Sequence, residues 1–407
     1  MRSYCSVTSF VFLCALCVSA MHPVLAEDWP QWRGPRGDGT SLEPAAPTRW
    51  SATENVKWKV EVPGKGYGSP IVVGDRIFLN TALERENKRV LVCLDRKSGK
   101  MLWQRDVLTA PLEQKNKLNN YASSTPASDG ERVFVTFLDG KQVLVAAYDL
   151  EGNLVWRKMP GRFYSPHGWS CSPMLYKDSV IVNCDQDGPG FIERLRCDTG
   201  EEVWRIERPN HTRSYCNPAI FEVNGEKQMV LSGTKCTTSY DPDTGKLRWL
   251  IDGPTEQYVA SMVFTENVFC ITAGFPEMHT MGISPEGRTL WHHAKVQGLA
   301  AYVPSPVAFE KWFFLVTDRG NAVCFDARSG TPLWTHKLGQ HHFPSAVLND
   351  GNVYWLSDEG TCYVVKAGEK YQLVARNELG EHCNASPAIS QGNLFIRSDQ
   401  HLWCLGK

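Results

Sequence analysis

Seven short stretches of this chain each carry an aromatic residue just ahead of a small residue that is most often followed by proline. The aromatics are Tyr67, Tyr121, Trp169, Tyr215, Tyr258, Tyr302 and Phe343. His167, His211, His341, His342 and His382 share these stretches, five of the eleven histidines in the chain, and so do Lys65 and Arg213. Flat amphipathic rings with a polar edge suit a site that stacks a ligand or grips a peptide. The candidate ligand- or partner-binding residues are therefore Lys65, Tyr67, Tyr121, His167, Trp169, His211, Arg213, Tyr215, Tyr258, Tyr302, His342 and His382. The competing reading is that the rings pack between structural units and the histidines are solvated. No catalytic set stands out. There is no G-x-S-x-G elbow for a nucleophile and no C-x-x-C for zinc or redox work. No metal site is assigned, because loop histidines do not fix ligand distances.

The elements that position these stretches come from a repeat. Gly-x-x-x-Trp recurs as Gly99/Trp103, Gly152/Trp156, Gly200/Trp204, Gly245/Trp249, Gly287/Trp291 and Gly330/Trp334. Successive tryptophans lie 53, 48, 45, 42 and 43 residues apart, the length of a four-stranded propeller blade. Asp95, Asp241 and Asp326 open the turn in the fullest copies, with Asp149 in a shorter one. An Asp carboxylate there can accept from backbone N–H groups two residues on. A second marker opens the innermost strand of each unit: Ser69-Pro70, Thr125-Pro126, Ser172-Pro173, Asn217-Pro218, Ser305-Pro306 and Ser386-Pro387. Ser261-Met262 and Ser345-Ala346 fill the same slot without proline, which brings the count to eight.

The expected fold is all-β, a single eight-bladed β-propeller of four-stranded antiparallel blades. The last unit runs out of chain after its third strand, while Val56 to Val62 is a strand with no unit ahead of it. Pairing the two completes an eighth blade and leaves no open edge in the ring. Residues 1–26 read as a secretory signal: Arg2, an apolar run from Val7 to Ala20, then Val24-Leu25-Ala26 before Glu27. Neither Cys14 nor Cys17 follows the small residue that lipoprotein processing requires, so a secreted or periplasmic product is expected. Residues 27–55 form a Trp/Pro-rich arm whose Trp29 and Trp32 are expected to pack on the propeller, and residues 56–407 form the propeller itself.

The formal net charge is −1 and the basic residues are not clustered, which excludes a nucleic-acid footprint. No segment after the signal is long and apolar enough to span a membrane, and a monomer is expected. Eleven cysteines follow the signal. Cys93, Cys324 and Cys404 occupy one repeat position, filled by Ala147 in another copy, and read as small buried hydrophobes. Cys171 and Cys216 also match one another, and a disulfide between them stays open. Asn210-His211-Thr212 and Asn384-Ala385-Ser386 match the glycosylation triplet, which occurs often by chance.

The string Asp-x-x-[Ser/Thr]-Gly-x-x-x-Trp, after an apolar strand and an Asp-Gly-type turn, resembles the pyrroloquinoline quinone (PQQ)-like repeat. That repeat builds eight-bladed quinoprotein propellers and the outer-membrane assembly lipoprotein BamB. Trp29-Pro30-Gln31-Trp32-Arg33-Gly34-Pro35 likewise resembles the start of secreted bacterial members of this class. The resemblance covers nearly all of residues 28–407 and implies that the Gly/Trp pairs dock one blade on the next. It implies one of two functions. A binding scaffold would present loops at one mouth of the channel to a protein partner or small ligand. A quinone-dependent dehydrogenase of alcohols or sugars would clamp PQQ and a Ca²⁺ with Glu, Asn and Asp oxygens, an Arg or Lys and a base. The chain has no adjacent cysteines, and its acids sit mostly in repeat turns. The expectation is a non-catalytic scaffold with no resident cofactor, with the quinoprotein oxidoreductase as the alternative.

Overall fold

A computed structural model of the chain describes residues 27–43 and 46–407. The secretory signal read in residues 1–26 lies outside the described residues. Short apolar runs separated by turn residues form strands almost throughout, and the sole helical segment among the described residues is the 3₁₀ turn Glu84–Glu86. The strands assemble into eight sheets, the blades of one propeller, each with four antiparallel strands that in blades 1 to 7 run from inner to outer in chain order. Blade 1 consists of Ile71–Val73, Arg76–Leu83, Lys88–Asp95 and Met101–Thr109. Blades 2 to 7 follow in residues 127–158, 174–207, 219–252, 263–294, 307–337 and 347–378. Blade 8 has its inner three strands in 388–405 and takes its outer strand, Val56–Glu61, from the other end of the chain.

That exchange closes the ring. Trp58 pairs with Cys404, Lys59 with Trp403, Val60 with Leu402 and Glu61 with His401, all antiparallel. The sequence anticipated both the eight blades and this closure.

The burial pattern explains why the second and third strands lack the alternation of the outer ones. In blade 2, six of the eight residues of Arg132–Asp139 are buried, because neighbouring blades cover both faces. The outer strand Leu247–Asp252 instead alternates, as expected of a sheet edge with one wet face.

Seven tryptophans lock blade to blade. The indole Nε1 of each donates to a carbonyl in the next blade: Trp58 to Arg96 (3.0 Å), Trp103 to Leu150 (3.1 Å), Trp156 to Cys197 (2.8 Å) and Trp204 to Pro242 (3.1 Å). Trp249 reaches Pro285 (2.8 Å), Trp291 reaches Ala327 (2.8 Å) and Trp334 reaches Gly368 (3.0 Å). Six of the rings lie against the repeat glycine of the following unit rather than their own, and Trp334 meets Tyr371 edge-on instead (5.4 Å). A Cβ on Gly99 would sit 2.7 Å from Trp58, and one on Gly200 would sit 2.7 Å from Trp156, both at positive φ. Glycine is required there by backbone conformation and by contact at once. The eighth junction is different. Blade 7 carries Ala375 in place of the tryptophan, and the arm supplies Trp50, stacked on Tyr354 at 6.3 Å and held by Asn377 Oδ1 (3.0 Å).

The cysteine positions follow from the same packing. Cys93, Cys324 and Cys404 lie directly opposite the docking residues Trp103, Trp334 and Trp58, and Ala147 lies opposite Trp156. A bulky indole favours a small partner at this position, with Ser239 and Gly282 opposite Trp249 and Trp291, although blade 3 sets Arg194 opposite Trp204. Burial pushes each of these three thiols up to about 12, far from a reactive thiolate. All eleven described cysteines are buried and free, Cys171 and Cys216 included. The repeat aspartates accept from backbone N–H groups, two residues on as expected at Asp241 (2.9 Å) but three on at Asp95 and Asp326 (2.8 Å each) and four on at Asp149 (2.7 Å).

One buried carboxylate predicts a pH dependence. Burial first, and then the neighbouring Glu202 carboxyl, raise Glu193 to about 7. The folded state therefore holds a proton that the unfolded chain releases near pH 4.5. Stability falls as pH rises from there to about 7, and the loss is complete above it. Replacing Glu193 with Gln is expected to raise stability at pH 8 by about 1–2 kcal/mol and to leave it nearly unchanged at pH 4.5. Urea unfolding at the two pH values measures the difference, and an equal effect at both would assign it to packing.

Candidate functional site

The small residues that open the inner strands form a ring around the channel. In six of the eight the backbone N–H donates to the side-chain oxygen of the next: Ser69 to Thr125 (2.9 Å), Thr125 to Ser172 (2.8 Å) and Ser172 to Asn217 (3.0 Å). The relay continues from Ser261 to Ser305 (2.9 Å), Ser305 to Ser345 (2.9 Å) and Ser345 to Ser386 (2.8 Å). This accounts for the marker in the sequence. A short hydroxyl or amide satisfies a buried N–H of the preceding blade, and a following proline holds that residue extended.

The arm closes the channel below this ring. Trp29 pairs with Val72 of blade 1, Pro30 accepts from Ser128 of blade 2 (2.8 Å), and Gln31 Oε1 accepts from Leu175 of blade 3 (2.7 Å). The chain then crosses the channel. Arg33 donates to the Pro306 carbonyl of blade 6, and Gly39 accepts from Leu348 of blade 7 (2.8 Å). Thr40–Ser41 adds a parallel strand to blade 7, and Glu43 accepts from Gln391 (2.6 Å) and Gly392 (2.9 Å) of blade 8. Arg33 is fully buried, and desolvation lowers it to about 10. Trp29 is core. Trp32, midway across, is the floor of a chamber.

The chamber has a volume of about 370 Å³. Trp32, Tyr67, Tyr215, Tyr302 and Phe343 supply its aromatic lining, and Asn116, Asn119, Asn217, Asn384 and the ring serines its neutral polar groups. His167, His341 and Asp318 also line it, and no lysine or arginine does among the described residues. Among those same residues no group of three His, Cys, Asp or Glu side chains is placed to hold a metal.

Four of the sequence candidates meet here: Tyr67, His167, Tyr215 and Tyr302. Burial lowers the pKa of His167, and the Arg213 charge adds to the effect. The remaining candidates stand elsewhere. Trp169 is core, its Nε1 bonded to Thr136 (3.0 Å) and its ring edge-on to Phe163 at 4.9 Å. Tyr258 is buried in the apolar cluster shared by blades 3, 4 and 5. His342 is wholly buried with neither ring nitrogen bonded, and desolvation lowers it to about 4, so it is neutral. Its neighbour His341 is the one that faces the chamber. Tyr121 lies under Lys115 (4.9 Å), Lys65 is exposed beside its backbone pair with Ala82, and His211 is exposed. Arg213 pairs with Asp187 (2.9 Å), and His382 with Asp399 (3.5 Å).

Asp318 and Trp32 were not among the candidates. Asp318 reads as a turn residue in the sequence, and it does sit in a turn, with Gly320 N–H bonded to Thr317 O (2.8 Å). Because strands alternate in direction, the turn between the second and third strands opens on the same mouth as the loop entering the first. The Asp318 carboxylate accepts from the N–H groups of Tyr302 (2.7 Å) and Val303 (3.1 Å) in that loop.

A family profile described as outer membrane protein assembly factor BamB matches residues 48–114, 86–268 and 281–379. The chain belongs to this family of PQQ-like propellers. BamB of Burkholderia pseudomallei is 23% identical over 301 residues, covering 73% of this chain and 62% of that protein. The quinohemoprotein alcohol dehydrogenase ADH IIB of Pseudomonas putida is 23% identical over 224 residues, covering 51% of this chain and 31% of the enzyme. The chain thus spans less than two thirds of the length of either curated relative. The crystal structure of quinohemoprotein alcohol dehydrogenase from Comamonas testosteroni superposes with a TM-score of 0.67 at 12% identity, over 93% of this chain and 81% of that one. At that identity the likeness establishes the fold alone.

Proposed function

We propose that this BamB-family propeller is a non-catalytic binding scaffold of the secreted or periplasmic space, and that the chamber between its mouth loops receives the ligand or partner segment. The observation that carries this reading is the chamber itself, with aromatic walls, neutral hydrogen-bonding groups and a floor made from the protein's own arm. Pockets of this size and lining hold small molecules or single side chains. The family profile, described for an assembly factor, supports a scaffold role. The signal read in residues 1–26 supports export, and no described helix is long and apolar enough to cross a membrane.

The quinoprotein alternative fits the chamber poorly. A tricarboxylated quinone needs cationic side chains against its carboxylates, and its Ca²⁺ needs several anionic or amide oxygens at one point. The lining offers a single carboxylate, Asp318, and no lysine or arginine. Incubation with PQQ and Ca²⁺ is expected to leave no quinone on the protein after desalting and no dye reduction with alcohols or glucose. Turnover in that assay would replace the scaffold reading with the dehydrogenase.

A fragment panel read by tryptophan fluorescence and ligand-observed NMR tests the chamber. Its hits are expected to disappear in Trp32→Ala and Phe343→Ala while thermal unfolding stays within a few degrees. Hits that bind both variants as well as the parent chain would place the binding face elsewhere.

A further inference from the structure

Three consecutive blades carry an aspartate in the turn between the second and third strands at the mouth: Asp318 in blade 6, Asp358 in blade 7 and Asp399 in blade 8. The last two are matched by bases. His341 Nδ1 lies 2.9 Å from Asp358 and His382 Nδ1 lies 3.5 Å from Asp399. Each of these histidines stands four residues before its ring serine, Ser345 or Ser386. Four residues before Ser305 stands Ala301, which is buried and brings no charge. Asp318 has no ion pair among the described residues, and its hydrogen-bond donors there are two neutral backbone N–H groups. Burial raises its pKa, outweighing its backbone donors and the more distant His341, whose Nδ1 is engaged by Asp358. Arg213, whose charge also acts on Tyr302, is held by Asp187 (2.9 Å).

We infer that the chamber binds an organic ammonium group, its positive charge set against Asp318 and its alkyl substituents against the rings of Trp32, Tyr67, Tyr215, Tyr302 and Phe343. The inference rests on the proposed chamber and adds the chemical class of its occupant. Aromatic faces attract a cation through the ring quadrupole, most strongly where water is excluded. A carboxylate without an ion-pair partner in such a site gains Coulombic attraction from a bound cation. An anion meets the opposite field, and a neutral ligand leaves the carboxylate unmatched.

Calorimetry with choline, its neutral isostere 3,3-dimethylbutan-1-ol, acetate and Ca²⁺ tests the inference on the intact chain. Choline is expected to bind at least about tenfold tighter than the isostere. In Asp318→Asn the two are expected to come within about twofold of each other through loss of choline affinity. Equal binding of choline and the isostere to the parent chain overturns the ammonium inference and leaves the chamber reading standing. Tighter binding of Ca²⁺ or acetate than of choline, or no choline binding at all, overturns it as well. The comparison on the parent chain decides the matter even where Asp318→Asn fails to fold. The chamber reading falls separately, on fragment hits that ignore Trp32→Ala.

Discussion

Arg208→Met is expected to destabilise the whole ring by about 3–5 kcal/mol, since it strips a fully buried carboxylate of its partner. Neither Arg208 nor Asp185 exposes any side-chain surface, and Nε stands 2.7 Å from Oδ1, with Nη2 3.4 Å from Oδ2. The guanidinium also donates to Thr238 (2.9 Å) and Tyr240 (2.7 Å), so one cation ties the third blade to the fourth. The surrounding acceptors and the Asp185 charge outweigh desolvation, and the arginine is held more firmly protonated than usual. Removing both charges avoids the orphan. Arg208→Met with Asp185→Leu is therefore expected to recover most of the loss, because replacing a buried pair by apolar groups is often close to neutral. Urea midpoints for the parent, the single and the double variant measure this. A single variant within about 1 kcal/mol of the parent would mean that water reaches Asp185 in the folded state.

The architecture was legible because its determinants are local and repeated. A glycine that must adopt positive φ against an indole leaves a Gly-x-x-x-Trp trace six times over, and a strand-opening Ser-Pro leaves another. The repeat did not say which tryptophan meets which glycine. That pairing runs between blades, and the spacing within one unit happens to mimic it. The site was less legible for the same reason. The rings of Tyr121, Trp169 and Tyr258 occupy equivalent loops to those of Tyr67, Tyr215 and Tyr302, and spacing does not separate them: Trp169, Tyr258 and Tyr302 each stand three residues before the strand-opening residue, yet only Tyr302 faces the chamber. His341 and His342 are adjacent and point opposite ways, as neighbours in extended chain do. Trp32 became visible only when the arm was seen to cross the channel, through contacts with blades far apart in the chain. Asp318 was hidden by a sound local explanation, since an aspartate in a turn ordinarily needs no other.

The largest effect of all is expected at the closure of the ring. Deleting Leu402 to Lys407 removes four side chains that are each at most 2% exposed, Leu402, Trp403, Cys404 and Leu405. It also unpairs Val56–Glu61, whose partner strand is His401–Leu405. Burial of a large apolar side chain contributes about 1.5–3 kcal/mol, so three of them alone represent about 5–9 kcal/mol. Whole domains hold about 5–15 kcal/mol in reserve, and most of that reserve is gone with this one strand. The loss also spreads. Without its third strand blade 8 cannot present Trp58 to Gly99 and Arg96, so blade 1 loses its docking partner and the ring gains two open edges. Trp58→Ala isolates that second contribution and is expected to cost about 3–5 kcal/mol. Removing Lys407 alone, an exposed residue, is expected to change nothing. Denaturant unfolding followed by tryptophan fluorescence orders the three: Lys407 deletion at the parent midpoint, Trp58→Ala well below it, and the six-residue deletion with no cooperative transition. A six-residue deletion that unfolds at the parent midpoint would mean that the ring is held by blade-to-blade contacts without the exchanged strand, and that Val56–Glu61 is an ornament of the fold rather than its clasp.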